Sequence, residues 1–262
     1  MDGAKMDGAK TTTNTFNVNE SSTPGATEPA SPSFSSSSPG SCSPKLTSAQ
    51  RWISLAEFVI GGAIVIAHNV YHVIPNEVPI LFVIGLISLR VRDGGWSGIG
   101  LRWPGSWRRT ILFALAAAAA RILLGQFVTD PLTAHFWPAA KAPAGINEIP
   151  DHGVIALRWL FLVWTFAAFG EEIGYRGYLV TRAADVGARS KAAYWIAVLL
   201  VSVLFGYGHY YKGPAGMVDS GMAGLVLGTA YLLTGRNLWV CILAHGFIDT
   251  FGVVALYFGW AN

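Results

Sequence analysis

The chain has little charge. Asp, Glu, Lys and Arg make up only 13% of its 262 residues, while 52% are hydrophobic. Soluble domains carry about 25% charged residues, so the deficit points to lipid as the solvent. The formal net charge of +3 is too small to suggest a nucleic-acid partner. Cysteine is scarcer still: Cys42 lies in a polar stretch and Cys241 in an apolar run. Two such residues cannot build a disulfide framework or a zinc–thiolate cluster. No apolar segment precedes Cys42, which argues against a bacterial lipid-anchor signal. Two signatures of intramembrane proteolysis, His-Glu-x-x-His and Gly-x-Gly-Asp, are missing. A Gly-x-Ser-Gly does occur at Gly95–Gly98, but among tryptophans and arginines rather than in an apolar span.

Residues 1–48 are also short of apolar side chains. Met1-Asp-Gly-Ala-Lys5 repeats as Met6-Asp-Gly-Ala-Lys10, and Ser, Thr, Pro, Gly and Asn follow as far as Pro44. Such a composition buries too little apolar surface to offset its ordering entropy, so a disordered tail is expected. It has neither the basic start nor the apolar core of a secretory signal. Residues 49–262 form the expected folded domain.

A bilayer core about 30 Å thick needs roughly 20 helical residues. The apolar runs give seven expected spans: Ile53–Val73, Val78–Leu89, Thr110–Val128, Val154–Gly170, Ala192–Tyr207, Gly216–Leu233 and Leu238–Trp260. The expected fold is therefore all-α, a polytopic transmembrane helix bundle of about seven spans with its site between helices. Arg90, Arg92, Arg102, Arg108 and Arg109 fall between spans two and three. Arg182, Arg189 and Lys191 fall between four and five, Arg236 between six and seven, and Lys45 and Arg51 before span one. The alternate loops carry only Lys141 and Lys212. This bias places the N-terminus and the arginine-rich loops in the cytoplasm and the C-terminus outside. The expected location is a plasma or inner membrane, with lipid as a partner. Trp96, Trp103 and Trp107 mark the loop after span two as an interfacial anchor. Gly216, Ser220, Gly224 and Gly228 form one stripe of small residues for close helix packing.

Polar residues stand out in this setting. Phe169-Gly-Glu-Glu-Ile-Gly-Tyr-Arg176 follows the run Val154–Ala168, which only Arg158 interrupts. Charge at membrane depth costs several kcal/mol unless paired or hydrated, and it marks a functional site by default. On a helix Glu172 and Arg176 are i,i+4 neighbours and form an ion pair. Glu171 points about 100° away and is left free to act as a general base. The bland reading is an ion pair at a helix end in water, since Arg182 and Arg189 follow soon after. Two more polar pairs lie at helical spacing, Phe205-x-x-x-His209 and His245-x-x-x-Asp249. Asp249 can orient His245 from one turn away. His68 and His72 read as satisfied core histidines. A Glu-Glu pair and two histidines on three spans are what a site between helices needs, so Glu171, His209, His245 and Asp249 are expected around one water-filled cavity.

These three motifs, in this order on apolar spans, resemble those of the CPBP family, the CAAX-prenyl-endopeptidase and bacteriocin-processing group of intramembrane proteases. Gly177-Tyr-Leu and Arg182 fit the same pattern, and the resemblance covers roughly residues 90 to 255. It implies hydrolysis of a peptide bond in a membrane-associated peptide or protein. It further implies Glu171 and His209 as water activators, His245 and residue 249 as oxyanion stabilisers, and Glu172 with Arg176 as support. The prenyl endopeptidases have Asn where this chain has Asp249. An ionised Asp cannot donate to an oxyanion, so Asp249 is protonated, a histidine orienter or a metal ligand. A Glu–His water site requires no cofactor; a zinc ion held by Glu171, His209 and His245 is the alternative. The competing functional reading is a non-proteolytic immunity or scaffolding protein of the same fold. A proton-coupled transporter would be expected to carry an internal repeat, and none is visible.

Overall fold

The computed structural model describes residues 46–260. The expected tail falls almost wholly outside them, and so does Cys42. Every described element is helical, as an apolar chain in lipid requires, because only a helix satisfies its backbone within one segment. Seven helices follow one another: α1 (Ser48–Asn69), α2 (Glu77–Arg92), α3 (Trp107–Phe136), α4 (Gly153–Val186), α5 (Lys191–Tyr207), α6 (Gly213–Leu233) and α7 (Leu238–Tyr257). Short polar residues start most of them. Thr47 and Gln50 form a reciprocal capping box on α1. The side chains of Asn76, Ser106, Ser190 and Asn237 cap α2, α3, α5 and α7, accepting backbone N–H groups that the first turn leaves unpaired.

Helices α1, α3, α4, α6 and α7 are long and apolar enough to cross a membrane. Helix α2 has 16 residues and α5 has 17. All seven overlap the expected spans; α3 runs on past Val128 to Phe136, and the fourth brings an informative correction. The fourth does not stop at Gly170 but continues to Val186. The motif charges read as a boundary, yet every residue from Glu172 to Arg182 is buried. Besides pairing along α4, they meet His245, Phe205 and Glu57 of other helices, so α4 carries them through the centre of the bundle. Its turns widen to an i→i+5 pattern from Val163 to Leu179. Such wide turns are rare and cluster at functional sites.

Helix α4 packs against α1, α2, α5 and α7, while α3 lies against α6 and α7. The small-residue stripe of α6 meets α5 of the same chain. A Cβ at Gly224 would come within 3.1 Å of Ser202 Cα, one at Gly228 within 2.5 Å of Val198 Cγ1, and one at Gly206 within 2.7 Å of the Met217 carbonyl. The two backbones touch there, and only glycine fits.

At the arginine-rich end, three arginines meet three carboxylates. Arg182, 0% exposed, binds Glu57 at 2.9 Å, Asp185 at 2.9 Å and Asp93 at 2.8 Å. It also donates to the Ser88 hydroxyl. Arg92 holds the other Glu57 oxygen at 2.7 Å, and Arg189 bridges Asp185 and Asp93. This clasp ties α1, α2 and α4 together. Nearby, Trp103 is exposed and stacks edge-on against Trp107, which packs on Trp239.

The segment between α3 and α4 lies against the opposite ends of the helices. Ile149 is fully buried among Ala156, Val163 and Val253, and Lys141 N–H donates to the Lys212 carbonyl at 2.9 Å.

Candidate active site

The long α4 removes the difficulty that a short fourth span creates. A helix ending at Gly170 would set Glu171 and His209 at opposite membrane faces. In the structure Glu171 sits near the middle of α4, and His209 lies in the turn that follows α5. Glu171, His209, His245 and Asp249 all line one cavity of about 490 Å³. The sequence-based expectation of a shared cavity between spans four, five and seven matches this placement.

Glu172 and Arg176 stand behind the cavity wall. Arg176 Nη1 donates to Glu172 Oε1 at 2.9 Å, and both side chains are almost completely buried. The guanidinium also covers the Phe205 ring, 4.3 Å from its centroid. The same Glu172 oxygen accepts from His245 Nδ1 at 2.7 Å. This link was not legible in the sequence, because it joins residues 73 positions apart. It fixes a tautomer: a carboxylate can only accept, so His245 Nδ1 carries a proton. His245 Nε2 is then the nitrogen toward Asp249, with Oδ2 3.6 Å away.

His209 is oriented in the same way. Its Nδ1 lies 2.9 Å from the Phe205 carbonyl, which can only accept. Nδ1 therefore bears the proton and Nε2 keeps a free lone pair. Phe205 gives this motif its four-residue spacing, with its carbonyl on His209, its ring under Arg176, and its edge toward His245 with centroids 6.2 Å apart. Gly208 admits the Tyr175 hydroxyl, which a Cβ there would meet at 2.8 Å. Tyr175 packs edge-on against Phe205 and reaches Glu77. Glu77 in turn meets His68, whose Nδ1 is bonded to the Ile74 carbonyl. His68 is thus a satisfied histidine.

Glu171 differs from these neighbours. It is half-buried, and its Oε2 is shielded from solvent without a hydrogen-bond partner among the described residues. Glu172 Oε2 and Arg176 Nη2 share that condition. The structure adds two cavity residues that the sequence reading passed over, Arg121 and Lys212. Arg121 had a signal, a charge within the alanine-rich span three.

Among the described residues no three His, Cys, Asp or Glu side chains are grouped closely enough to hold a metal ion. His245 spends Nδ1 on Glu172, and His209 spends Nδ1 on a carbonyl. Both leave Nε2 available, so it is the spacing of Glu171, His209 and His245 that forms no ready ligand cage, and no step below passes through a metal.

The family model of the type II CAAX prenyl endopeptidase Rce1-like proteins matches residues 153–251, less than half of the chain. No curated protein and no solved structure matches it. The matched stretch starts at the first residue of α4 and takes in all three motifs. Residues 153–251 are thus similar to this family of membrane proteases, which supports the CPBP resemblance carried by the three motifs.

Proposed function

We propose that the protein is an intramembrane endopeptidase in which Glu171 and His209 activate a water molecule. The observation that carries this reading is the contrast between Glu171 and Glu172. Both are carboxylates on one helix, but Glu172 is bound to Arg176 and His245 behind the wall, while Glu171 lines the cavity and makes no ion pair among the described residues. A base needs a free lone pair next to the proton it removes.

In the proposed reaction, water lies between the Glu171 carboxylate and His209 Nε2. Glu171 takes a proton as the water oxygen attacks the peptide carbonyl carbon. The carbonyl oxygen becomes an oxyanion and accepts a hydrogen bond from protonated His245 Nε2. Glu172 holds one ring nitrogen and Asp249 lies near the other, which gives Asp249 an orienting role toward His245. The tetrahedral intermediate collapses, the C–N bond breaks, and the proton on Glu171 passes to the leaving nitrogen. The products are a carboxylic acid and an amine. Positioned proton transfer of this kind contributes roughly 10²–10⁴-fold in rate.

The substrate is a peptide or protein held in or at the membrane. The deciding experiment compares peptide termini across the membrane proteome of cells carrying wild-type protein or Glu171→Ala. New termini present only with the wild type would support hydrolysis and name the substrate. Identical termini, with both proteins inserted and folded, would leave the scaffolding or immunity reading.

A further inference from the structure

The reactive side chains of α7 form one stripe, and the stripe beside it is gripped by a residue that the hydrolytic steps do not use. His245 and Asp249 are i,i+4 neighbours on α7. Gly246 and Thr250 form the parallel stripe, rotated by about 100° from the first. Trp164 of α4 sits on this second stripe. Its indole N–H donates to Thr250 Oγ1 at 3.1 Å. A Cβ at Gly246 would fall 2.5 Å from the indole Cη2 and Cζ3 and 2.8 Å from Cε3. The ring therefore lies directly on the backbone next to His245. It also meets Phe247 at a steep angle, with centroids 5.8 Å apart. Trp164 does not line the cavity, so it touches no reacting group itself.

The Glu172–His245 bond joins the same two helices at 2.7 Å. One bond leaves a helix free to turn and slide about that point. The Trp164–Thr250 bond is a second pin, further back along α4 and further on along α7, as antiparallel helices require. Glu171 lies between the two pins on α4, and Asp249 lies between them on α7. The wide turns that carry Glu171 begin at Val163, so the grip on α7 is made where the winding of α4 changes. Small errors of rotation matter here. With a helix radius of about 5 Å, turning α7 by about 10° moves a surface atom by about 1 Å. A misplacement of about 1 Å at a reacting group costs on the order of 100-fold in rate.

We propose that Trp164 is a positioning residue. Seated on Gly246 and bonded to Thr250, it sets the rotation of α7 that aims His245 Nε2 and Asp249 into the cavity beside Glu171. This rests on the proteolytic reading.

The test uses full-length protein in vesicles of neutral phosphatidylcholine. A mixture of synthetic peptides with apolar segments is supplied, and the one cut fastest, read by mass spectrometry, serves for kinetics. Thr250→Val removes the acceptor at nearly constant volume, Trp164→Phe removes the donor, and Thr250→Ser keeps the acceptor. Rates are taken per folded molecule, with the folded fraction read by thermal unfolding. The first two variants should each lower kcat about tenfold with KM changed by less than about twofold. Thr250→Ser should recover most of the lost rate. The double variant Trp164→Phe/Thr250→Val should be no slower than the slower single, because both break one link. An unchanged kcat in Thr250→Val, or losses that multiply in the double variant, overturns the proposal and leaves hydrolysis standing. A second readout needs no cleavage. In protein labelled with ¹⁵N-histidine, the His245 ring signals are identified by their loss in His245→Asn. Thr250→Val should shift them, Thr250→Ser should return them, and the His68 signals should stay in place. That pattern keeps the positioning of His245 even if the wild type cleaves nothing, in which case the proteolytic reading fails alone. Unmoved His245 signals overturn the proposal whatever the protein cleaves.

Discussion

Two polar clusters are embedded in this bundle, and they differ in how completely their valences are filled. In the clasp of Glu57, Asp93 and Asp185 with Arg92, Arg182 and Arg189, every nitrogen of the Arg182 guanidinium has an acceptor. In the cavity cluster, Glu171, Glu172 and Arg176 each keep a buried atom with none. Satisfied networks hold helices in register; an unsatisfied atom carries a cost that persists only where something else uses it. The two clusters share α4 and lie within a few turns of each other. The contrast therefore separates structure from chemistry on a single helix.

The sharpest way to break that comparison is Glu171→Gln. If the unfilled cluster is chemical, cleavage of a substrate found by terminal-peptide comparison should fall by about 10³-fold or more, with the melting temperature unchanged. Normal turnover would return Glu171 to the ranks of packing residues. Arg182→Met tests the other side. It removes the one cation shared by three carboxylates, leaving them only Arg92 and Arg189, and should cost about 3–5 kcal/mol of stability, read as thermal unfolding in detergent. Protein that remains folded should cleave at the wild-type rate per active molecule. Glu172→Gln lies between the clusters, because it props both Arg176 and His245. A loss of roughly 1–3 kcal/mol and a partial loss of activity should appear together, and either one alone would separate the two roles.

The smallest effect concerns Asp93, outside the spans. Burial acts to raise its pKa, but hydrogen bonds and charges from Arg189 and Arg182 outweigh that and hold the carboxyl below its ordinary value of 3.8. A lowered folded-state pKa adds stability that is complete above the ordinary value and is lost as pH falls through the folded one. Melting temperature should therefore drop on acidification below about pH 4. Asp93→Asn should cost about 1 kcal/mol at neutral pH and flatten that acid limb. An unchanged limb would show that the clasp does not depend on this charge.

The helices were legible because their apolar runs are long and their caps conventional. The site residues were legible because charge in an apolar run is conspicuous. What failed was the end of the fourth span. Glu171, Glu172 and Arg176 look like an exit to water when only neighbours along the chain are visible. His245, which holds Glu172, and Phe205, which lies under Arg176, come from other helices, and no local pattern announces them. The same reason hid the clasp. Arg182 and Arg189 read as loop charges, although Arg182 is fully buried by residues from α1 and α2. Lys212 was sorted as a loop cation, since nothing local tells that its stem bends over Gly216.

Hydrolysis has two reactants, and one of them is excluded by the surrounding lipid. The cavity of about 490 Å³ is lined on several sides by groups able to hydrogen-bond water, including Arg121, Asp219, Lys212, His209 and Asp249. Buried polar groups with spare valences retain ordered water, typically with two to four bonds per molecule. On the proposed hydrolytic reading, the cavity wall therefore also supplies the nucleophile at membrane depth. Drying it out, for example by replacing Asp219 and Arg121 together with apolar residues, would starve the reaction without touching Glu171.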